Sequence, residues 1–169
     1  MEFASCPQLE LIIKMTIEKI ISLLPYTTPF LFVDNLENID KNGVTGTYTY
    51  PPESYFYKGH FVNHPITPGV ILTETMAQIG LVCLGIFLMK DKIEETAEFP
   101  KMAMTSNQTD YFLPVYPGEK VRVISRKEYF RFGKLKCQVE MRNEKDELVC
   151  KGTIAGMIIQ KNEYREKSN

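Results

Sequence analysis

His60 stands in the step Gly59-His60-Phe61, just before Pro65-Ile66-Thr67-Pro68-Gly69-Val70, and Glu74 follows fourteen residues after the histidine inside an apolar run. An imidazole on a proline-stiffened loop can take a proton, and a carboxyl sunk in hydrocarbon can keep one and give it away, so together they form a plausible proton-transfer pair. Neighbours Val70, Ile71, Met76, Ala77 and Leu81 predict a desolvated Glu74, whose charged form is disfavoured and whose pKa therefore rises. Gln78, four residues further on, falls on the same helix face and can hold the carboxyl in orientation. Taken alone, a loop histidine is more often a solvated or hydrogen-bonded residue with no catalytic role. The second histidine, His64, reads as loop structure and Cys83 as core. Tyr26, Tyr55 and Tyr57 either line a pocket or simply pack.

A helix must present this pair. Thr67 is a suitable N-cap, Pro68 suits the first helical position, and the spacing predicts a helix from Gly69 to Met89. Its leading N–H groups lack intrahelical partners and can face a developing oxyanion, and Gly69 lets a ligand carbonyl approach the backbone closely. Such an apolar helix invites a transmembrane reading. Against it, Glu74 and Gln78 leave only Ile79 to Met89 uninterrupted, short of the roughly 20 residues a bilayer needs, so the helix is expected to be wrapped by protein.

Around it, Ile17, Ile20, Ile21 and Leu24 predict a short amphipathic helix from Thr16 that Pro25 stops. Phe30 to Val33 reads as a strand continuing to Ile39, Asn42-Gly43 as a hairpin turn, and Val44 to Tyr50 as the return strand. Lys90 to Glu98 reads as a charged linker. Beyond it Lys134 to Arg142 alternates at period two, Val121 to Ile124 and Leu148 to Ile159 read likewise, and Pro117-Gly118, Arg131-Phe132-Gly133 and Asn143 to Asp146 are turns. One buried helix with mainly antiparallel strands is an α+β arrangement in which a curved sheet wraps the helix. The reading is a single domain over 16–160, with an N-terminal extension at 1–15 and a polar tail at 161–169.

Composition sets the class. In 169 residues, 44% hydrophobic and 24% charged side chains suit one globular domain, and a net charge of −1 gives no general attraction to nucleic acid. Cys6, Cys83, Cys137 and Cys150 are scattered without metal or disulfide spacing, which predicts reduced thiols, a cytoplasmic protein and no metal.

Gly59-His60-Phe61, Pro65-x-x-Pro68-Gly69-Val70 and Glu74-Thr75-Met76-Ala77-Gln78 together closely resemble the active-site segment of the FabZ-type (3R)-3-hydroxyacyl-(acyl-carrier-protein) dehydratases, in the FabA/FabZ branch of the hot-dog fold superfamily. Leu23-Leu24-Pro25 and Pro29-Phe30-Leu31-Phe32-Val33-Asp34 are similar to that family's opening helix and first strand, and Phe112 to Glu119 to its Pro-Gly-Asp turn. The resemblance runs in order from Thr16 to Ile159, and the His60–Glu74 spacing is also the family's. It departs in two places: His60-Phe61-Val62-Asn63-His64-Pro65 stands where His-Phe-Pro-Gly-Arg-Pro is usual, and Asn35 stands where a basic residue is common.

The resemblance implies that His60 removes the α-proton of a 3-hydroxyacyl thioester, Glu74 assists departure of the hydroxyl as water, and the Gly69 N–H polarises the thioester carbonyl. Phe61, Pro68, Val70 and Gln78 would then be substrate-binding. Glu at position 74 resembles the pure dehydratase branch more than the dehydratase-isomerases typified by FabA. The substrate rides on the phosphopantetheine arm of acyl carrier protein or coenzyme A, no other cofactor is implied, and two subunits share each site in a homodimer or a trimer of dimers. Lys101, Lys120, Arg122, Arg126, Lys127 and Arg131 are candidate landing residues for an acidic carrier protein. The implied pathway is fatty-acid synthesis or a specialised polyene or polyketide route. Two other readings remain at this stage: a hot-dog thioesterase using Glu74 to position water, and a carrier-binding subunit without turnover.

Overall fold

The computed structural model describes residues 16–96 and 101–159. The extension at 1–15 and the tail at 161–169 lie outside the described residues, as does Cys6. Helix α1 covers 16–22. Strands β1 (Asn35–Ile39) and β2 (Gly43–Thr49) follow, then a 3-10 turn at Tyr55–Lys58, helix α2 (Gly69–Leu88), helix α3 (Lys90–Thr96), and strands β3 (Lys101–Tyr111), β4 (Lys120–Arg131), β5 (Lys134–Asn143) and β6 (Leu148–Ile159).

Period-two alternation builds the sheet. In β5, Leu135, Cys137, Val139 and Met141 are buried while the residues between them are not, and in β4 Val121, Val123 and Ser125 repeat the pattern. All pairings are antiparallel, in the order β1-β2-β4-β5-β6-β3, which leaves β1 and β3 as the edges. Asp40 Oδ1 closes the β1–β2 hairpin by accepting from the N–H groups of Asn42 and Gly43 at 2.6 and 3.0 Å. Between β4 and β5, Phe132 and Gly133 both adopt positive φ, at 52° and 73°, the backbone that a two-residue hairpin turn demands.

Helix α2 crosses the inner face of this sheet and is the core. Its apolar 18-residue window is 83% buried, so the protein itself supplies the surroundings that a membrane would otherwise provide. Gly80 permits the close approach: a Cβ there would sit 3.0 Å from Ser125 Cβ and 3.1 Å from Val139 Cγ1. The helix widens to π geometry over Gln78–Cys83, and Ser125 Oγ donates to the Gly80 carbonyl at 2.8 Å, satisfying a backbone group at the bulge.

Three expectations are corrected, and one strand is added. Phe30–Val33 is not a strand; the Phe30 N–H turns back to the Thr27 carbonyl, the Phe30 carbonyl and Phe32 N–H bond the Gln78 side chain, and regular pairing starts at Asn35. Lys90–Thr96 is helical instead of a linker, with Ile93 buried against the core. Strand β3 went unread because its sequence, KMAMTSNQTDY, is mostly polar and its residues mostly exposed, as an edge strand allows. Finally, Thr67 does not cap α2. Pro68 occupies that position, while the Thr67 hydroxyl is already bonded to Tyr57 Oη at 2.6 Å.

Candidate active site

The His60 loop is closed by its own backbone. Ile66 N–H donates to the His60 carbonyl at 2.9 Å, and His60 Nδ1 lies 2.8 Å from the Ile66 carbonyl oxygen. A carbonyl only accepts, so Nδ1 carries a proton, and in the neutral imidazole the lone pair is then on Nε2, the tautomer a general base at that atom requires. His60 N–H bonds the Phe56 carbonyl at 2.9 Å, and the imidazole stacks on Phe61 with ring centroids 4.0 Å apart. Thr67 N–H donates to the Val115 carbonyl at 2.8 Å, which ties the end of this loop to the β3–β4 connection.

Glu74 is held differently. Gln78 Nε2 donates to Glu74 Oε1 and to the Phe30 carbonyl, both at 2.9 Å, while Gln78 Oε1 accepts from Phe32 N–H at 2.8 Å. This one amide therefore replaces a strand partner for residues 30–32 and aims the carboxyl. Burial raises the Glu74 pKa and the Gln78 hydrogen bond partly offsets it, so the proton is retained more tightly than on a free glutamate. Burial, and then the nearby Glu74 charge, pushes the Tyr26 phenol up to about 12, which keeps it neutral beside the acid.

At the start of α2, the first backbone N–H taken by a carbonyl is that of Ile71, which bonds Pro68 at 2.9 Å. The N–H groups of Gly69 and Val70 precede it and have no intrahelical acceptor. Pro68 is buried, while Val70 is 75% and Phe61 55% exposed, so the latter two are open to a ligand. Gln78 needs a correction as a direct substrate contact: it is fully buried, and its amide is engaged by Phe30, Phe32 and Glu74. Within one chain no hydrogen bond or ion pair joins His60 to Glu74.

Residues 24–153 match the family described as FabA-like domain. The chain belongs to that family. Among its FabA-like relatives it is 31% identical over 151 residues to the 3-hydroxyacyl-(acyl-carrier-protein) dehydratase FabZ of Sinorhizobium medicae, covering 86% of this chain and 90% of that protein. It is also 31% identical over 110 residues, 64% of this chain and 73% of the other, to the FabZ of Geotalea uraniireducens. Among solved structures, the dehydratase heterocomplex ApeI:P from Xenorhabdus doucetiae matches with a TM-score of 0.72 at 14% identity, over 85% of this chain and 93% of that one. A six-stranded antiparallel sheet around one long helix is the hot-dog fold, and this FabA-like chain has it.

Sequence reasoning missed one neighbour of the site in this FabA-like protein. Tyr111, the last residue of β3, lies against Gly69 and bonds to it across 42 positions of chain. No local pattern marks it, because only the β3–β6 register brings it there.

Proposed function

We propose that the protein is a hydro-lyase that dehydrates a 3-hydroxyacyl thioester carried on acyl carrier protein to the trans-2-enoyl thioester, in the cytoplasm. The reading is supported by two groups set up in complementary ways: His60, whose Nδ1 bond to the Ile66 carbonyl puts the lone pair of the neutral ring on Nε2, and Glu74, whose burial favours the protonated form. His60 Nε2 takes the α-proton, and the electrons of that C–H bond form the new double bond as the C–O bond at the third carbon breaks. Glu74 gives its proton to the departing hydroxyl, which leaves as water. The Gly69 N–H meets the oxygen on which enolate charge builds, a task suited to a preorganised backbone dipole at a helix start.

Because no hydrogen bond or ion pair joins His60 and Glu74 inside one chain, we assign the facing partner of each to a second copy. Support comes from exposed apolar and aromatic side chains: Phe61 and Val62 on the His60 loop, Val70 at the start of α2, and Tyr111 and Phe112 at the end of edge strand β3 are all more than 45% exposed. Arg126, Lys127 and Arg131 run along β4 to a turn where Phe132 is 95% exposed, and we read this basic strand as the landing site for the acidic carrier. Val62-Asn63-His64, in place of the usual loop residues, favours a specialised acyl substrate over housekeeping elongation.

Complementation tests both the chemistry and the sharing. His60→Ala and Glu74→Gln should each abolish formation of enoyl product. Mixing the two dead variants and letting subunits exchange should restore about a quarter of wild-type turnover, since half the dimers are mixed and each carries one intact site. Turnover within about tenfold of wild type in either single variant sinks the proposed roles, and a mixture no faster than the single variants sinks the shared site.

A further inference from the structure

Tyr111 makes contacts that a residue at the end of an edge strand has no structural need for. Its hydroxyl donates to the Gly69 carbonyl at 3.1 Å and shares a short hydrogen bond with Thr73 Oγ1. Its ring lies over the same residue, such that a Cβ on Gly69 would be 3.3 Å from both Cε1 and Cζ. Thr73 itself is buried and immediately precedes Glu74, while the Tyr111 side chain remains 47% exposed. One phenol therefore bridges the end of β3 to both ends of the first turn of α2.

The peptide that accepts this hydrogen bond matters. The Gly69 carbonyl and the Val70 N–H belong to one planar unit, so a donor placed on the carbonyl oxygen polarises the N–H at the other end. That N–H has no intrahelical acceptor, as noted above, and sits beside the Gly69 N–H. Building on the dehydratase reading, we infer that Tyr111, locked by Thr73, is a positioning residue that fixes the first turn of α2 and sharpens the Val70 N–H, which beside the Gly69 N–H forms a paired cradle for the thioester oxygen. It touches no reacting atom; it acts through the Gly69–Val70 peptide. A donor that works only as charge develops should change kcat more than KM.

The decisive variants are Tyr111→Phe and Thr73→Val, which keep ring and shape and delete hydroxyls, with Thr73→Ser as the conservative rescue. In the full-length chain, each deletion should lower kcat about threefold to tenfold, the scale of one hydrogen bond, with KM within about twofold. Thr73→Ser should restore wild-type kcat, and the double variant should be no slower than the worse single variant, because both hydroxyls belong to one bridge. A second readout does not need turnover: backbone amide exchange at Ile71, Leu72 and Thr73 should quicken in Tyr111→Phe while that of Leu81 in the core stays unchanged. Unaltered kcat and unaltered exchange in Tyr111→Phe overturn the inference, as does a loss confined to KM or effects that multiply in the double variant. A wild-type protein with no enoyl product sinks the dehydratase reading instead, and the exchange experiment still decides whether the bridge holds the helix start.

Discussion

The loop that carries His60 closes on its own main chain, through the Ile66 N–H at 2.9 Å and the Ile66 carbonyl at 2.8 Å, whereas α2 aims Glu74 with a side chain, the Gln78 amide at 2.9 Å. The loop is largely exposed and the helix largely buried. On the loop, backbone geometry selects a tautomer and leaves a nitrogen free. On the helix, desolvation selects a protonation state, and a buried amide keeps it aligned. The proposed dehydration calls for a base and an acid at the same pH, and setting the two by separate physical means suits that need.

The sharpest break in this contrast is His60→Ala. Removing the base while leaving the loop's main-chain closure to Ile66 N–H intact should cut enoyl formation by about 100- to 10,000-fold without unfolding the protein, as read by rate and by circular dichroism. A fall of less than tenfold would mean that the loop nitrogen is not the base.

Next in size is Gln78→Leu. The side chain is fully buried and bonds Phe32 N–H, the Phe30 carbonyl and Glu74, so its loss orphans the segment before β1 and the acid together. Stability should drop by about 2 kcal/mol in urea titration, and turnover should fall with it. An unchanged midpoint would show that the 30–32 segment is anchored some other way.

A smaller effect separates docking from chemistry. Arg126→Glu should slow association with acyl carrier protein by about tenfold at low salt and lose that effect at high salt, with no change in turnover of a small thioester analogue. Salt-independent binding kinetics would remove β4 from the docking surface.

The finest test concerns stability against pH. Burial raises the folded-state pKa of Glu74 above its ordinary value, so the native state binds that proton more tightly than the unfolded chain. The stabilising contribution is complete below the ordinary glutamate range and is lost as pH rises through the raised folded value. Glu74→Gln removes the titration, so that variant should melt higher than wild type at about pH 8 and converge with it near about pH 4. A gap that widens toward acid would contradict the burial assigned to the carboxyl.

Much of this was legible from residue types alone. The alternation in Lys134–Arg142, the Asn42-Gly43 turn, the apolar run after Gly69 and the Glu74–Gln78 spacing are local patterns, and local patterns survive without tertiary context. The losses had a common cause. Thr67 looked like a cap because the sequence does not reveal that Tyr57 takes its hydroxyl. Phe30–Val33 looked like a strand because hydrogen-bond partners offered by a side chain 46 residues away leave no periodic trace. Strand β3 escaped notice because an edge strand needs no buried face.

Sequence by itself put an imidazole and a carboxyl forward as the groups of the proposed proton exchange and set the carboxyl in hydrocarbon, since residue identity and helical spacing carry both. Only the folded chain decided which imidazole nitrogen is free, which amide holds the acid and that Tyr111 reaches the helix start. Those are distances between segments remote in sequence, and they are set by sheet register and helix packing, which no short window of residues encodes.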